Sequence, residues 1–461
     1  MTWPEPDAAR GPDRPAPAVS VVIPTHNRET RLRRALEALA AQTCPPETFE
    51  VVVVTDRCTD GTATMLDALH PPFALRVVTP TGPGGPAAAR NAGAAAARGR
   101  LLVFMDDDIE PSPGFLAAHA AAHVSPDTVV IGHLPPVLGA QTGFFGVTLR
   151  RWWEEMFDRM RQPGHRFCAF DLVSGNVSLP AALFHRVGGF DPAFTCHEDY
   201  ELGVRLMRHG ARFAYADAAL GRHHEETDLR RALRRKFDEG RADVSLGRKH
   251  PEMIAELPLR RLLRARSRRV RASIRLAFLG PAAAGLITSA GAAALWGLER
   301  LRARRQWRRV LNDLLSYWYW RAVAETLGSF DALVRFASAA SGDAATPDEL
   351  VIDLREGPVA AATRLDAVRP AGARLTYGPH AVGRIMARPG AEPLAGRHLR
   401  PLLEGPLAAS LLDAMAQAGA LPASLDTARL RALCREMPRL RVHGVDAAPL
   451  SDVGGTGGVR V

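Results

Sequence analysis

"RLLVFMDDD", residues 100–108, sets an apolar run directly against three consecutive carboxylates. A short apolar run closed by polar residues reads as a buried strand, and the chain ahead of it repeats the pattern. "VSVVIP" at 19–24, "FEVVVVTD" at 49–56 and "LRVVTP" at 75–80 are three more such runs. Helical segments lie between them: 28–42 with Leu32, Leu36 and Leu39 on one face, 63–70, and the small-residue stretch "AAARNAGAAAARG" at 87–99. Strand alternating with helix predicts an α/β fold built on a mostly parallel sheet.

Ligands of such sheets lie at the carboxyl ends of the strands. "PTHNR", "TDRCTD" and "DDD" all fall there, so three polar clusters from distant parts of the sequence converge on one edge. Alternation along an extended strand end predicts that Asp106 and Asp108 point together, with Asp107 turned away or into the following turn. Neighbouring carboxylates resist joint ionisation unless a cation neutralises them. A hard divalent ion, Mg²⁺ or Mn²⁺, with positions open to phosphate oxygens suits the arrangement best. A solvated acidic loop capping a helix at "PSPGF" is the plainer reading of an isolated triple, and the convergence weighs against it.

The chain has 461 residues, 47% of them apolar and 23% charged, the balance of a folded protein of two or three domains. Its formal charge of +10 is local: residues 260–309 hold 14 arginines against one acid, Glu299. No aromatic-interleaved basic groove accompanies them, which excludes nucleic acid as the expected partner. Five cysteines without paired spacing fit a reducing compartment, and the N-terminus, with acids and prolines but no apolar core, is not a signal peptide. The expected location is the cytoplasm.

Residues 1–17 read as a flexible tail. From 165 to 230 strands and helices mix, through "SGNVSLP", "GGFDPAF", the helix "HEDYELGVRLMRHG" and a strand ending in "GRHHEE". Residues 231–340 form a helical, arginine-rich region, 341–348 a linker, and 349–461 a small α+β module with a hairpin at "ARLTYGPHAVGRI". Within the basic region, 276–298 carries no charge over 23 positions. That length admits a bilayer span or a buried helix, but its alanine and glycine content and flanking arginines fit an interfacial helix on anionic lipid best.

The ordered set "VSVVIPTHNR", "VVVVTDRCTDGT", "ARNAGAAAARGRLLVFMDDD", "SGNVSLP", "GGFDPAF" and "HEDYELGVRL" resembles the family 2 glycosyltransferases of the GT-A fold, over residues 18–230. The resemblance implies a nucleotide-sugar donor, with Pro24, Thr25, Arg28, Asp56, Arg90, Asn91, Asp106 and Asp107 on its binding surface. Asp56 would meet the base, although Thr55, Arg57 and Cys58 depart from the family's acid, glycine and serine. The D-x-D element corresponds to Asp106 and Asp108, one toward ribose and one on the metal; the triple leaves their order open. His223, preferred over His224, would complete the metal site. Asp199 is implied as general base with Glu198 orienting it or meeting the acceptor, and Gly175 and Asn176 as floor under the sugar. The expected reaction is metal-dependent, inverting transfer to a sugar or lipid-linked acceptor, at the inner face of the cell membrane. A sugar nucleotidyltransferase would need a glycine-rich phosphate loop that "PTHNRETR" lacks, and a noncatalytic membrane-tethered scaffold would not need Asp106, Asp108 and Asp199.

Overall fold

The protein is described by a computed structural model over residues 17–82, 84–137, 143–260, 268–280, 282–339, 349–421 and 445–448. The expected tail, up to residue 16, and the expected linker 341–348 lie outside these described residues. Two compact units divide the chain. The first comprises Met1–Arg161 and Phe167–Ser341, so the 18–230 segment, apart from 162–166, shares one unit with 231–340; the second comprises Gln162–Arg166 and Gly342–Val461.

The first unit is built on an eight-stranded sheet of β1 (Val19–Thr25), β2 (Phe49–Thr55), β3 (Ala74–Val78), β4 (Leu101–Met105), β5 (Ile109–Pro111), β6 (Thr128–His133), β7 (Asn176–Pro180) and β8 (Arg212–His223). Their spatial order is β3-β2-β1-β4-β7-β6-β8-β5. The first four strands run parallel, as the strand–helix alternation predicts. β7 then enters antiparallel between β4 and β6, while β6 and β8 are parallel and β5 is antiparallel to β8. Val21, Val22, Ile23 and Val51 to Val54 are fully buried, which explains why β1 and β2 read as unbroken apolar runs instead of alternating ones.

The helix Pro86–Ala96 lies close against these strands. A Cβ on Gly93 would stand 2.4 Å from Val22 Cγ1 and 2.8 Å from Val54 Cγ2, so the small residues of "RNAG" set the distance between helix and sheet.

Because β7 is antiparallel to β4, the last residue of β4 pairs with the first of β7, Met105 with Asn176. Gly175 is thereby brought against Asp106, whose N–H donates to the Gly175 carbonyl at 3.2 Å. β4 stops at Met105, and Ile109 N–H donates back to the Asp106 carbonyl at 3.3 Å, closing a turn over the acidic triple. The alternation expected of an extended strand end therefore does not apply to Asp106, Asp107 and Asp108.

The helices Leu229–Lys249, Arg268–Phe278, Ala282–Arg300, Arg304–Leu327 and Phe330–Ser338 complete the first unit. Tyr317, Tyr319 and Trp320 of "YWYWR" are buried in a core with Val244, Leu246 and Ile274. The uncharged run 276–298 is interrupted at Gly280, whose φ of +103° lies outside the helical region. Among the described residues no helix is long and apolar enough to cross a membrane.

In the second unit β9 (Leu350–Asp353), β10 (Ala373–Tyr377), β11 (His380–Ile385) and β12 (Val445–Ala447) form a sheet in the order β12-β11-β10-β9. The expected hairpin is β10–β11. Its core holds Ile352, Leu365, Leu375, Val382 and Leu399, and a fully buried Glu392 is met by Arg397 and His398.

Candidate active site

The acidic turn is held from two sides. Thr25 Oγ1, at the end of β1, donates to Asp107 Oδ2 at 2.7 Å. Arg28 Nη1 donates to Asp107 Oδ1 at 2.8 Å and to Asp108 Oδ2 at 2.9 Å, and Arg31 approaches Asp108 Oδ2 at 3.6 Å. Asp106 faces the other way, accepting from Arg90 Nη2 at 2.6 Å. The triple is thus divided: Asp106 is 36% exposed, while Asp107 and Asp108 are 4% and 9% exposed. Burial pushes Asp107 up to about 6 despite Arg28. Burial also works against Asp108, but His223, Arg28 and Arg31 outweigh it and hold this carboxyl below its ordinary value. Pro24 stays in the ladder of β1 opposite Val54, one residue ahead of this clamp.

β8 ends at His223, whose Nε2 stands 3.5 Å from Asp108 Oδ1. Its Nδ1 is 3.8 Å from Glu225 Oε2, and Trp153 packs edge-on with ring centroids 5.5 Å apart. His224 turns instead to Glu110, 2.8 Å away. Asp108 Oδ1 and His223 Nδ1 are buried without a hydrogen-bond partner. Among the described residues no three His, Cys, Asp or Glu side chains gather as a metal centre. The expected set of Asp106, Asp108 and His223 is therefore not assembled from protein groups alone, because Arg90 draws Asp106 aside. Asp108 and His223, side by side with an unbonded carboxylate oxygen, fit two ligands of a divalent cation.

Arg90 is the link between this turn and the "HEDY" segment, 108 residues farther on from it. Its Nη1 donates to Glu198 Oε1 at 2.9 Å while Nη2 holds Asp106, and its guanidinium lies 5.6 Å from the centroid of the Phe190 ring. Asp199 follows Glu198 in the first turn of the helix Glu198–Arg208 and accepts from Tyr200 N–H at 2.9 Å. Burial, then the neighbouring Glu198 charge, pushes the Asp199 carboxyl up to about 6.

The residue before the pair, His197, is left-handed at φ +60° and sets its Nδ1 3.1 Å from Asp243 Oδ1, on the helix Leu229–Lys249. Tyr319 donates to the other Asp243 oxygen at 2.5 Å. The arginine-rich helical region thus buttresses the segment that carries Glu198 and Asp199.

Other expected site residues serve as framework. Asp56 Oδ2 accepts from Gly85 N–H at 2.7 Å, at the start of the helix Pro86–Ala96. Both ends of the Asn91 amide are bonded to the Phe190 backbone, at 2.7 and 2.9 Å, pinning the "GGFDP" loop. Asn176 was expected under the sugar, but it has no exposed surface. It donates to the Ala219 and His133 carbonyls and faces His119 Nε2 at 2.7 Å, which joins β7 to β6 and β8. Gly175 does border the site: a Cβ there would stand 2.8 Å from Asp106 Oδ2.

Arg31, Asn27, His197 and Asp243 escaped the sequence reading. Asn27, left-handed at φ +53°, accepts from Thr59 N–H at 2.6 Å and ties the first polar loop to the second. The asparagine in "THNR" was a signal for that conformation. Asp243, 46 residues from its partner and inside a basic helix, offered none.

Residues 20–183 match the family model described as Glycosyl transferase family 2. The chain is 39% identical over 220 residues to a validoxylamine A glucosyltransferase of Streptomyces hygroscopicus subsp. limoneus, covering 42% of this chain and 49% of that protein. It is 28% identical over 252 residues to a pre-mycofactocin glycosyltransferase of Mycobacterium tuberculosis, covering 52% of this chain and 49% of that protein. The chain thus spans about half the length of these curated relatives. Among solved structures it is similar to a mannosyltransferase, PcManGT from Pyrobaculum calidifontis in complex with GDP-Man and Mn²⁺, at 21% identity and a TM-score of 0.46, covering 72% of this chain and 91% of that one.

Proposed function

We propose, from the premise that residues 20–183 of this chain are a glycosyltransferase family 2 domain, that the protein moves a sugar from a nucleotide-diphosphate sugar to an acceptor hydroxyl, with inversion at the anomeric carbon. The observation that carries this reading is Arg90, which joins the acidic turn to Glu198 beside Asp199.

In the proposed step the acceptor oxygen forms a bond to the anomeric carbon as the bond from that carbon to the diphosphate oxygen breaks. The electron pair leaves with the nucleoside diphosphate, and the acceptor proton passes to the Asp199 carboxylate. A base near pH 6 is ionised at neutral pH yet retains proton affinity, which the raised value of Asp199 supports. Glu198, bonded to Arg90, orients the segment. Arg28 is engaged with the acidic turn only through Nη1 among the described residues, leaving Nε and Nη2 of its fork for diphosphate oxygens. When bound at Asp108 and His223, Mn²⁺ or Mg²⁺ supplies Lewis-acid neutralisation of the diphosphate.

The relatives named for validoxylamine A and pre-mycofactocin support a glycosylated metabolite as product, ahead of a polysaccharide or glycolipid. Peripheral contact with anionic membrane on the cytoplasmic side is supported by Leu286 and Trp296, 76% and 62% exposed on a helix that ends in Arg300.

Incubation of the full chain with UDP-, GDP- and TDP-sugars plus Mn²⁺ tests the reading. Release of nucleoside diphosphate is the expected result. Pyrophosphate-dependent turnover would replace it with the nucleotidyltransferase alternative, and absence of any nucleotide binding would leave only the scaffold.

A further inference from the structure

We infer that the chamber lined by the helices Phe144–Arg161, Leu229–Lys249, Arg268–Phe278 and Arg304–Leu327 is the acceptor site, and that the acceptor is a hydroxyl-bearing molecule with an apolar body. The inference rests on the transferase reading and names the substrate class of that same site.

The chamber has a volume of about 790 Å³, within the range of small-molecule pockets and far larger than one sugar ring needs. Trp152, Trp153, Met156, Val270 and Leu315 make much of its surface apolar. Indole faces of this kind take the C–H side of a sugar or an apolar ring equally well. Ser316 lines the same space, and its Oγ is buried without a hydrogen-bond partner. A buried hydroxyl left in that state points to a polar group that arrives with the ligand.

The charged residues of the wall are mostly spent on one another. Lys236 Nζ meets Glu239 at 2.5 Å, Arg235 meets Glu239 and Glu225 at 3.5 and 3.8 Å, and Arg269 meets Asp313 at 3.4 Å. Arg309 lines the same wall outside these pairs.

Two wall residues connect the chamber to the reaction centre. Glu225 accepts from Trp153 Nε1 at 3.0 Å and stands 3.8 Å from His223 Nδ1. Tyr319 donates to Asp243, which holds His197 beside Glu198 and Asp199. A molecule whose body lies on Trp152 and Trp153 is therefore bordered by the partners of both the diphosphate side and the base side.

Titration of the full chain with alkyl and aryl glucosides, followed by tryptophan fluorescence, tests the inference. The probes are octyl β-D-glucopyranoside below its micelle concentration, phenyl β-D-glucopyranoside and D-glucose. Saturable quenching by octyl or phenyl glucoside, at least tenfold tighter than by glucose, is expected. Ser316→Phe, which fills the chamber, should weaken it at least tenfold; Val270→Trp, from a separate helix, repeats the test if the first variant does not fold. Tighter binding of the phenyl probe marks a compact cyclic metabolite as the natural source, and of the octyl probe a lipid-linked one. Equal affinity for glucose and the glucosides, or affinity unchanged in both folded variants, overturns the inference. Nucleoside diphosphate binding by the unaltered chain is measured separately, so a failed transferase reading is distinguished from a failed acceptor assignment.

Discussion

Replacing Arg90 by methionine removes the side chain that, among the described residues, bonds both Glu198 and Asp106. The guanidinium is 5% exposed and donates to Glu198, itself 10% exposed, and to Asp106, 36% exposed. Methionine fills much of the volume, so the cost is electrostatic. Glu198 is left as a buried carboxylate without its partner, a loss of about 3–5 kcal/mol. Asp106 is exposed enough for water to replace most of its lost bond. Tryptophan fluorescence during urea unfolding reads this cost cleanly, because all seven tryptophans lie in the first unit's chain segments and none in the second's. At pH 8 the variant should lose about 3–5 kcal/mol, and adding Glu198→Gln should recover about 2 kcal/mol. Because the Arg90 charge also lowers the Asp199 value, the acid limb of any remaining activity should move to higher pH. A loss below about 1 kcal/mol at pH 8, the size of a surface ion pair, would refute the reasoning.

Asp199→Asn should cut turnover by about 10²–10⁴-fold while nucleotide binding, followed by calorimetry, persists. The unaltered chain should lose activity about tenfold per pH unit below about 6, where Asp199 takes up its proton. The same raised value means that protonation favours the fold, a contribution present at low pH and lost as pH rises through about 6. Asp199→Asn should therefore melt higher than the unaltered chain at pH 8, with the difference fading toward pH 4. Gly93→Ala should destabilise by about 1–3 kcal/mol in urea unfolding, because the added methyl meets Val22 and Val54. Asn176→Ala should cost about 1–3 kcal/mol through the unsatisfied Ala219 carbonyl and His119, yet leave the acceptor KM of the remaining folded enzyme unchanged; a raised KM would return Asn176 to the sugar floor.

Much of the parallel half of the sheet was legible because β1, β2 and β4 are buried and carry their signal in consecutive residues. The three polar loops were legible for the same reason: each follows a strand that periodicity locates, and parallel strands bring their carboxyl ends to one edge. The sense of β7 was not legible, since a strand's residues are the same whichever way it runs. Its antiparallel entry is what sets Gly175 against Asp106.

Which way each acidic side chain faces was likewise decided in three dimensions. Alternation assumes an extended backbone, whereas the turn over residues 106–108 lets Arg90 take one carboxylate and Arg28 the other two. Local sequence determined the elements, the polar loop ends and the acids at the start of the helix Glu198–Arg208, because those depend on spacing between near neighbours. Tertiary structure alone brought Arg90 to Glu198, Asp243 to His197 and His223 to Asp108, since such partners meet through space and leave no periodic trace along the chain.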